Sequence, residues 1–279
     1  MMIAESLALS KRAMTKWLRN PFAVVAALIQ AIFWLVLFGN SFNPANALSS
    51  SPLGGGSLGL FQQTFGGAVN YITFLTPGVI GIVSLTTMSF MGVDVVLDRL
   101  NGFLDVLSSY PIPRTSIYLG AMLQNIAKAM ATAVVTFVLA LAVPNGLRLV
   151  PGFSVLDLFG VLLIFTLLSA VFSGLFTGIA IAVKSTDSFF ALVNFLTFPI
   201  MFTSTALFPI SFFPSWMKSF AQANPVSMSS EAARLLIVNG PLSATQTSAF
   251  AEDIIGLVLY GLLFAVLGIL MARRALRAR

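Results

Sequence analysis

Residues 158–183 read LFGVLLIFTLLSAVFSGLFTGIAIAV, without one charged side chain between Asp157 and Lys184. A helix rises ~1.5 Å per residue, so about 20 apolar residues cross the ~30 Å hydrocarbon core of a bilayer. This stretch is longer than that and lacks the polar face of a helix on a water-covered globule. It reads as a membrane span, and that reading decides the fold class.

Working outward, five more runs meet the same criterion: residues 22–39, 71–93, 116–143, 189–210 and 254–272. Lys128 interrupts the run 116–143, and a tight turn over 184–188 parts the two runs beside it. Of 279 residues, 58% are hydrophobic and 9% charged, whereas soluble domains carry about 25% charged residues. So few charges could not cover a globule of this size, and lipid removes the requirement. The expected fold class is an all-α integral membrane protein with six transmembrane helices, forming one transmembrane domain over 1–279. An N-terminal amphipathic interfacial helix and short re-entrant helices before the last span complete it.

Lysine and arginine set the orientation, because cytoplasmic segments carry them in excess. With the N-terminus inside, the inner segments hold Lys11, Arg12, Lys16, Arg19, Arg99, Arg114, Lys184, Arg273, Arg274, Arg277 and Arg279, the outer ones only Arg148, Lys218 and Arg234. Both termini are expected in the cytoplasm, as an even number of spans requires. The basic segment 11–19, an apolar run and then Ala45-Asn46-Ala47 have the outline of a signal peptide. The run is too long for one and more spans follow, so no cleavage is expected.

Cysteine and histidine are absent. That excludes disulfides, thiolate nucleophiles, imidazole bases and nearly every zinc, haem or iron–sulfur ligand set. Only 9 carboxylates remain for acid–base or metal chemistry. The basic balance follows membrane topology and does not point to nucleic acid.

Outside the spans, residues 3–19 place Ile3, Leu7, Ser10, Met14, Trp17 and Leu18 on one helical face and Glu5, Arg12, Lys16 and Arg19 on the other. This pattern predicts a helix lying in the interface, with Trp17 at headgroup level. Asn20-Pro21 breaks it. Residues 40–70 are uncharged and rich in serine and glycine, the composition of a flexible outer connector. The inner segment 98–114, DRLNGFLDVLSSYPIPR, carries a short apolar stripe of Leu100, Phe103, Leu104 and Leu107, ended by Pro111 and Pro113. Such an element either rests on lipid or forms a knob for a soluble partner. Its acidic Asp98 and Asp105, which an anionic leaflet repels, favour the partner. The outer segment 206–237 is too apolar for an exposed loop, and Pro209, Pro214 and Pro225 forbid one continuous helix. It reads as one or two short helices dipping back into the outer leaflet.

These two segments, in this order and spacing, resemble the type-2 ABC exporter permeases, in particular the daunorubicin-resistance-like branch. The inner motif is carried by Asp98-Arg99, Gly102, Leu104, Asp105, Leu107, Ser109, Pro111 and Arg114, with Phe103 and Val106 filling its variable slots. The outer motif comprises Phe208, Pro209, Pro214, Trp216, Asn224, Pro225 and Arg234, and Phe74-Leu75-Thr76-Pro77-Gly78 also matches the family. The resemblance covers essentially the whole chain. It departs at Lys128, which lies deeper than the family's usual basic residue.

The resemblance implies a permease that dimerises, with itself or a homologous permease, each copy resting on a separate P-loop ATPase subunit. On that reading 98–114 couples to the ATPase and 206–237 forms an outer gate. The transported compound would be amphipathic or hydrophobic: a drug, lipid or lipid-linked glycan. The expected location is the plasma membrane, and no cofactor belongs to this chain. It lacks a Gly-x-x-x-x-Gly-Lys-Ser/Thr loop, so ATP and magnesium would sit in the partner. An ion-coupled transporter or channel would need intramembrane carboxylates or broken helices for its ion sites, and an intramembrane enzyme a catalytic constellation. The spans offer little of either.

One intramembrane polar site is a candidate. Lys128 either pairs with Asp94 or faces a cavity between copies, or else it snorkels to the inner headgroups. Glu252 and Asp253 are expected to open the last span and favour its N-terminus through the helix dipole.

Overall fold

The computed structural model describes residues 29–39, 57–102, 114–240 and 242–277, together with Lys11, Thr15, Trp17, Arg19 and Val25. The expected interfacial helix 3–19 therefore lies outside the described residues except at four positions. There the Arg19 N–H donates to the Thr15 carbonyl at 3.2 Å, a helical spacing.

The elements in order are α1 (Ile29–Phe38), α2 (Ser57–Thr64), α3 (Tyr71–Leu100), α4 (Arg114–Ala142), α5 (Val155–Ala182), α6 (Thr186–Phe202), α7 (Ser215–Gln222), α8 (Pro225–Arg234) and α9 (Ala244–Arg277). A 3-10 turn at Ile210–Phe212 precedes α7, and π-helical stretches occupy Phe33–Phe38 and Leu235–Asn239. Among the described residues, four helices are long and apolar enough to cross a membrane: Tyr71–Leu100, Thr115–Ala142, Val155–Ala182 and Ala244–Ala275. Helices α1 and α6, at the first and fifth expected spans, are shorter.

The apolar runs predict the long helices well, and they mislead where polar signals sit inside an apolar run. The fifth run ends at Phe202 and not at 210. Pro199 weakens its last turn, and Thr203 closes it with backbone bonds to Met201 and Pro199. The last helix opens ten residues earlier than the apolar run. Ser243 and Gln246 form its cap, with the Ser243 N–H on Gln246 Oε1 at 2.9 Å and the Gln246 N–H on Ser243 Oγ at 3.4 Å. Glu252 and Asp253 therefore lie well inside α9 and do not start it. The second run continues to Leu100, so Asp98, Arg99 and Leu100 form the last turn of a long helix and not the start of a separate one. Gly102, at φ 74°, turns the chain away in the left-handed region that glycine tolerates. The connector 40–70 is not uniformly open chain either. It contains α2, whose Phe61 stacks on Phe65, with both side chains buried.

Helices α4, α5 and α9 form a tight scaffold. Lipid tails are as apolar as leucine, so close backbone approach and interhelical hydrogen bonds hold such helices together. Along the α4–α5 seam the Tyr118 hydroxyl donates to Gly174 O at 2.9 Å, Ser173 Oγ to Met122 O at 3.0 Å, and Asn125 Nδ2 to Thr177 Oγ1 at 3.3 Å. Between α5 and α9, a Cβ added at Gly178 would lie 2.6 Å from the Gly268 Cα. Helix α3 packs on this scaffold with most of its length buried, and α6 packs almost entirely on α3.

Candidate functional site

Towards the end of α3 that carries Asp98 and Arg99, Lys128 of α4 is 1% exposed and its Nζ lies 3.1 Å from Asp94 Oδ2 of α3. The pairing foreseen in the sequence is present, and the ammonium is turned into the bundle. Asp94 is the outer partner, with 44% of its side chain exposed. One turn further on, the Arg99 guanidinium reaches α5, where its Nη1 donates to the carbonyls of Ile181 and Val183. A cation there complements the negative end of the α5 dipole and satisfies carbonyls that the helix leaves open. Arg99 is thus engaged within the chain. Of the other inner-motif residues, Asp98 closes α3 and Gly102 follows it. Arg114 opens α4. Phe103, Leu104, Asp105, Leu107 and Pro111 lie outside the described residues.

At the other end, α7 and α8 follow each other across a two-residue break, and the prolines of this region each begin a helical segment. Pro209 caps the 3-10 turn, Pro214 caps α7, and Pro225 takes the first position of α8. A missing N–H costs nothing at these places. Asn224 joins α8 to α6: its Oδ1 accepts from the Val226 N–H at 2.9 Å, while Nδ2 donates to Ile200 O at 2.6 Å and Thr203 Oγ1 at 3.0 Å.

Arg234 is the centre of this region. It is 6% exposed and its guanidinium bridges three segments. Nε donates to Phe74 O at 2.9 Å, Nη2 to Thr205 O and Ala206 O at 2.8 and 3.1 Å, and Nη1 to Glu231 Oε1 at 2.7 Å. Its planar group lies 3.8 Å over the Phe74 ring. A buried charge is tolerated only when its donors are spent in this way. Pro77 removes a backbone hydrogen bond from the same turn of α3. Beside it a Cβ at Gly78 would fall 1.9 Å from Ala206 O, so glycine lets the 203–208 turn press onto α3. The Tyr71 hydroxyl adds a bond to Leu207 O at 2.9 Å.

An aromatic cluster lids this clamp. Phe65 meets Phe74, Tyr71 and Phe212 edge-on, and Phe208 meets Phe38 of α1. Trp216 is exposed on α7. Sequence reasoning singled out Phe208, Arg234 and the Phe74–Gly78 motif but not Phe61, Phe65 or the two carbonyls of the turn. No residue type marks a carbonyl as a ligand, and α2 sits in a glycine-rich stretch. A further contact also went unseen. Phe189 of α6 fills a notch at Gly92 of α3, and Ser89 and Thr197 share a hydrogen bond at 3.0 Å. The signal for it was the glycine, a small residue within an apolar helix.

The surface has two characters. Between residues 254 and 271 the exposed side chains of α9, such as Ile255, Leu259, Leu262, Val266 and Leu270, are apolar, while Glu252, Arg273 and Arg274 are exposed towards its ends. The α1–α3–α6 side mixes exposed aromatics, Phe90, Phe195 and Phe198, with polar groups: Asn194, the half-exposed Asp94, and Gln30 bonded to Thr86 at 2.8 Å. No group of residues able to hold a metal ion occurs among the described residues.

Comparison with known proteins places this arrangement. The family model described as ABC-2 type transporter matches residues 5–238. A putative transport permease, ycf38, of Porphyra purpurea is 28% identical over 99% of this chain and 90% of its own length. A probable doxorubicin resistance ABC transporter permease protein, DrrC, of Mycobacterium tuberculosis is 22% identical over 86% of this chain and 79% of its own length. The daunorubicin resistance ABC transporter permease protein DrrB1 of Streptomyces coeruleorubidus is 23% identical over 64% of this chain and 63% of its own.

Proposed function

Because the chain belongs to the ABC-2 type transporter family, we propose that it is the membrane half of an ATP-driven exporter. Two copies, or one copy with a homologous permease, each rest on a separate P-loop ATPase subunit and move an amphipathic or hydrophobic compound outward. ATP and magnesium bind in the partner. The chain crosses the plasma membrane six times with both termini inside, α1 and α6 completing the count, and the α7–α8 segment dips into the outer leaflet. The segment 98–114 receives the ATPase. Nucleotide-driven closure of the ATPase pair pushes on it and reorients α1, α3 and α6.

The observation that carries this reading, beyond family membership, is the two-character surface. Exposed polar groups at membrane depth are costly against lipid and face a bundle interior or water-filled cavity, so the α1–α3–α6 side faces the other copy and the route between them. Apolar α9 faces lipid. A route of amide, carboxylate and phenyl groups suits compounds with an apolar body and a polar end. The relatives named for doxorubicin and daunorubicin resistance fit that class.

Co-expression with a P-loop ATPase from the same gene neighbourhood tests the proposal. The two subunits co-purify, and inverted vesicles accumulate a lipophilic amine dye only with hydrolysable ATP. If the chain purifies alone and the vesicles take up dye equally without ATP, the reading is wrong.

A further inference from the structure

We propose that Arg234 is a positioning residue that fastens the outer end of α6 to α3, so that the two helices move as one unit and the outer mouth opens between copies and not between α3 and α6. This rests on the export reading for its consequence but not for its geometry.

Beyond the hydrogen bonds that Asn224 Nδ2 donates to Ile200 O and Thr203 Oγ1, helix α6 has little other support. Among the described elements it packs on α3 and only marginally on α5, and its outward side exposes Leu192, Phe195, Phe198 and Phe202. Three fastenings line the α3–α6 seam. At the inner end Phe189 occupies the Gly92 notch, with no room there for a Cβ. In the middle Ser89 and Thr197 share their hydrogen bond. At the outer end the chain leaving α6 is pinned to α3 in three ways: against Gly78 by contact, through its Leu207 carbonyl by the Tyr71 hydroxyl, and through its Thr205 and Ala206 carbonyls by Arg234, which holds the Phe74 carbonyl at the same time.

The outer fastening differs in kind from the other two. Notch packing and a hydroxyl pair are short contacts that a neighbouring rotamer can break. A guanidinium spreads its donors in a rigid plane, so one side chain holds carbonyls on two elements in fixed relative positions. Lysine, a compact point charge on a flexible stem, cannot reproduce that. The Arg234 guanidinium is also shut away from water and lipid, so a separation of α6 from α3 at this level would strand a buried charge. A motion that leaves the clamp closed avoids that cost.

The absence of native cysteine makes the test direct. The Ser89 and Thr197 oxygens are 3.0 Å apart, so the S89C/T197C pair sets two thiols facing each other across the seam for a disulfide of ~2.05 Å. In purified protein the pair should oxidise rapidly. Adding Arg234→Met or Arg234→Lys should slow that oxidation several-fold, because the outer end of α6 then swings. This arm needs no transport. A purely local role for Arg234 would leave the rate unchanged three turns away, and that result would overturn the proposal. Both variants are compared only where gel filtration gives the wild-type profile, and Gly78→Ser, which forces the turn off α3 with Arg234 intact, supplies the same readout if they misfold. In the second arm the oxidised S89C/T197C protein, assembled with its ATPase, should export as fast as the reduced form. Export that stops on oxidation and returns with dithiothreitol refutes the single unit while leaving ATP-driven export standing. A wild-type complex that exports nothing defeats the functional reading, and the oxidation rates still decide the geometry.

Discussion

Lys128 and Asp94 divide an ion pair unequally, the ammonium buried and the carboxylate half-exposed. Deleting one member of a buried pair is costly when the other stays behind uncompensated. Asp94→Ala, which strands the ammonium, should therefore destabilise by about 3 kcal/mol, the lower end for broken buried pairs. Lys128→Met leaves a carboxylate that water can reach and should cost much less, and the double variant should recover most of the loss. Thermal unfolding in detergent orders the three, and equal costs for the single changes would contradict the burial asymmetry. If Lys128→Leu exports at the wild-type rate, the pair serves stability alone. Two glycines make a sharper contrast. Gly78→Ala drives a Cβ into the Ala206 carbonyl and should cost about 3 kcal/mol, the upper end of ordinary overpacking. Gly59→Ala, in α2 with open space around it, should stabilise by up to about 1 kcal/mol through helix propensity. The sequence marks Gly78 as part of a motif but not what it must avoid, since the atom that matters there belongs to Ala206, far along the chain.

Among elements, the legible ones are those whose signal is a long apolar run, which in α4 holds a single charge, Lys128. Helices α3, α4 and α5 begin within a few residues of the runs at 71, 116 and 158. Helix α6 is shorter than its apolar run because the bulky residues after Phe202, from Leu207 to Phe213, extend the apolar signal although they belong to turns. Helix α9 was read too short because its first turns, with Thr245, Gln246, Glu252 and Asp253, are polar yet helical. Propensity and capping decide those turns, and hydropathy cannot see either. The motif at 98–114 was legible as a motif but not as two halves. Asp98 and Arg99 end α3, and the Arg99 guanidinium is spent on α5. The apolar half that follows is the element expected to meet the ATPase. Leu104→Glu with Leu107→Glu should insert normally yet lose both ATPase co-purification and substrate-stimulated hydrolysis. A double variant that still pulls down the ATPase and exports would move the coupling site elsewhere.

For the molecule as a whole, topology is open to labelling because any introduced cysteine is unique. Cysteines at Ser50 and Ser243 should react with an impermeant maleimide in intact cells, and those at Ser108 and Ala278 only after permeabilisation. Labelling of Ser108 in intact cells would reverse the orientation. The contact of Gly178 with Gly268 has a consequence for how such a chain is made. The two glycines stand about ninety residues apart, and a ribosome adding roughly 5–20 residues each second takes on the order of 5–20 s to bridge them. Through that interval α5 waits in the bilayer with its glycine face uncovered, open to any other small-residue helix nearby. A message broken before the codons of α9 yields a protein whose earlier spans are intact and whose seam never closes. Such a product differs from the complete chain in leaving Gly178 open to lipid and to other helices.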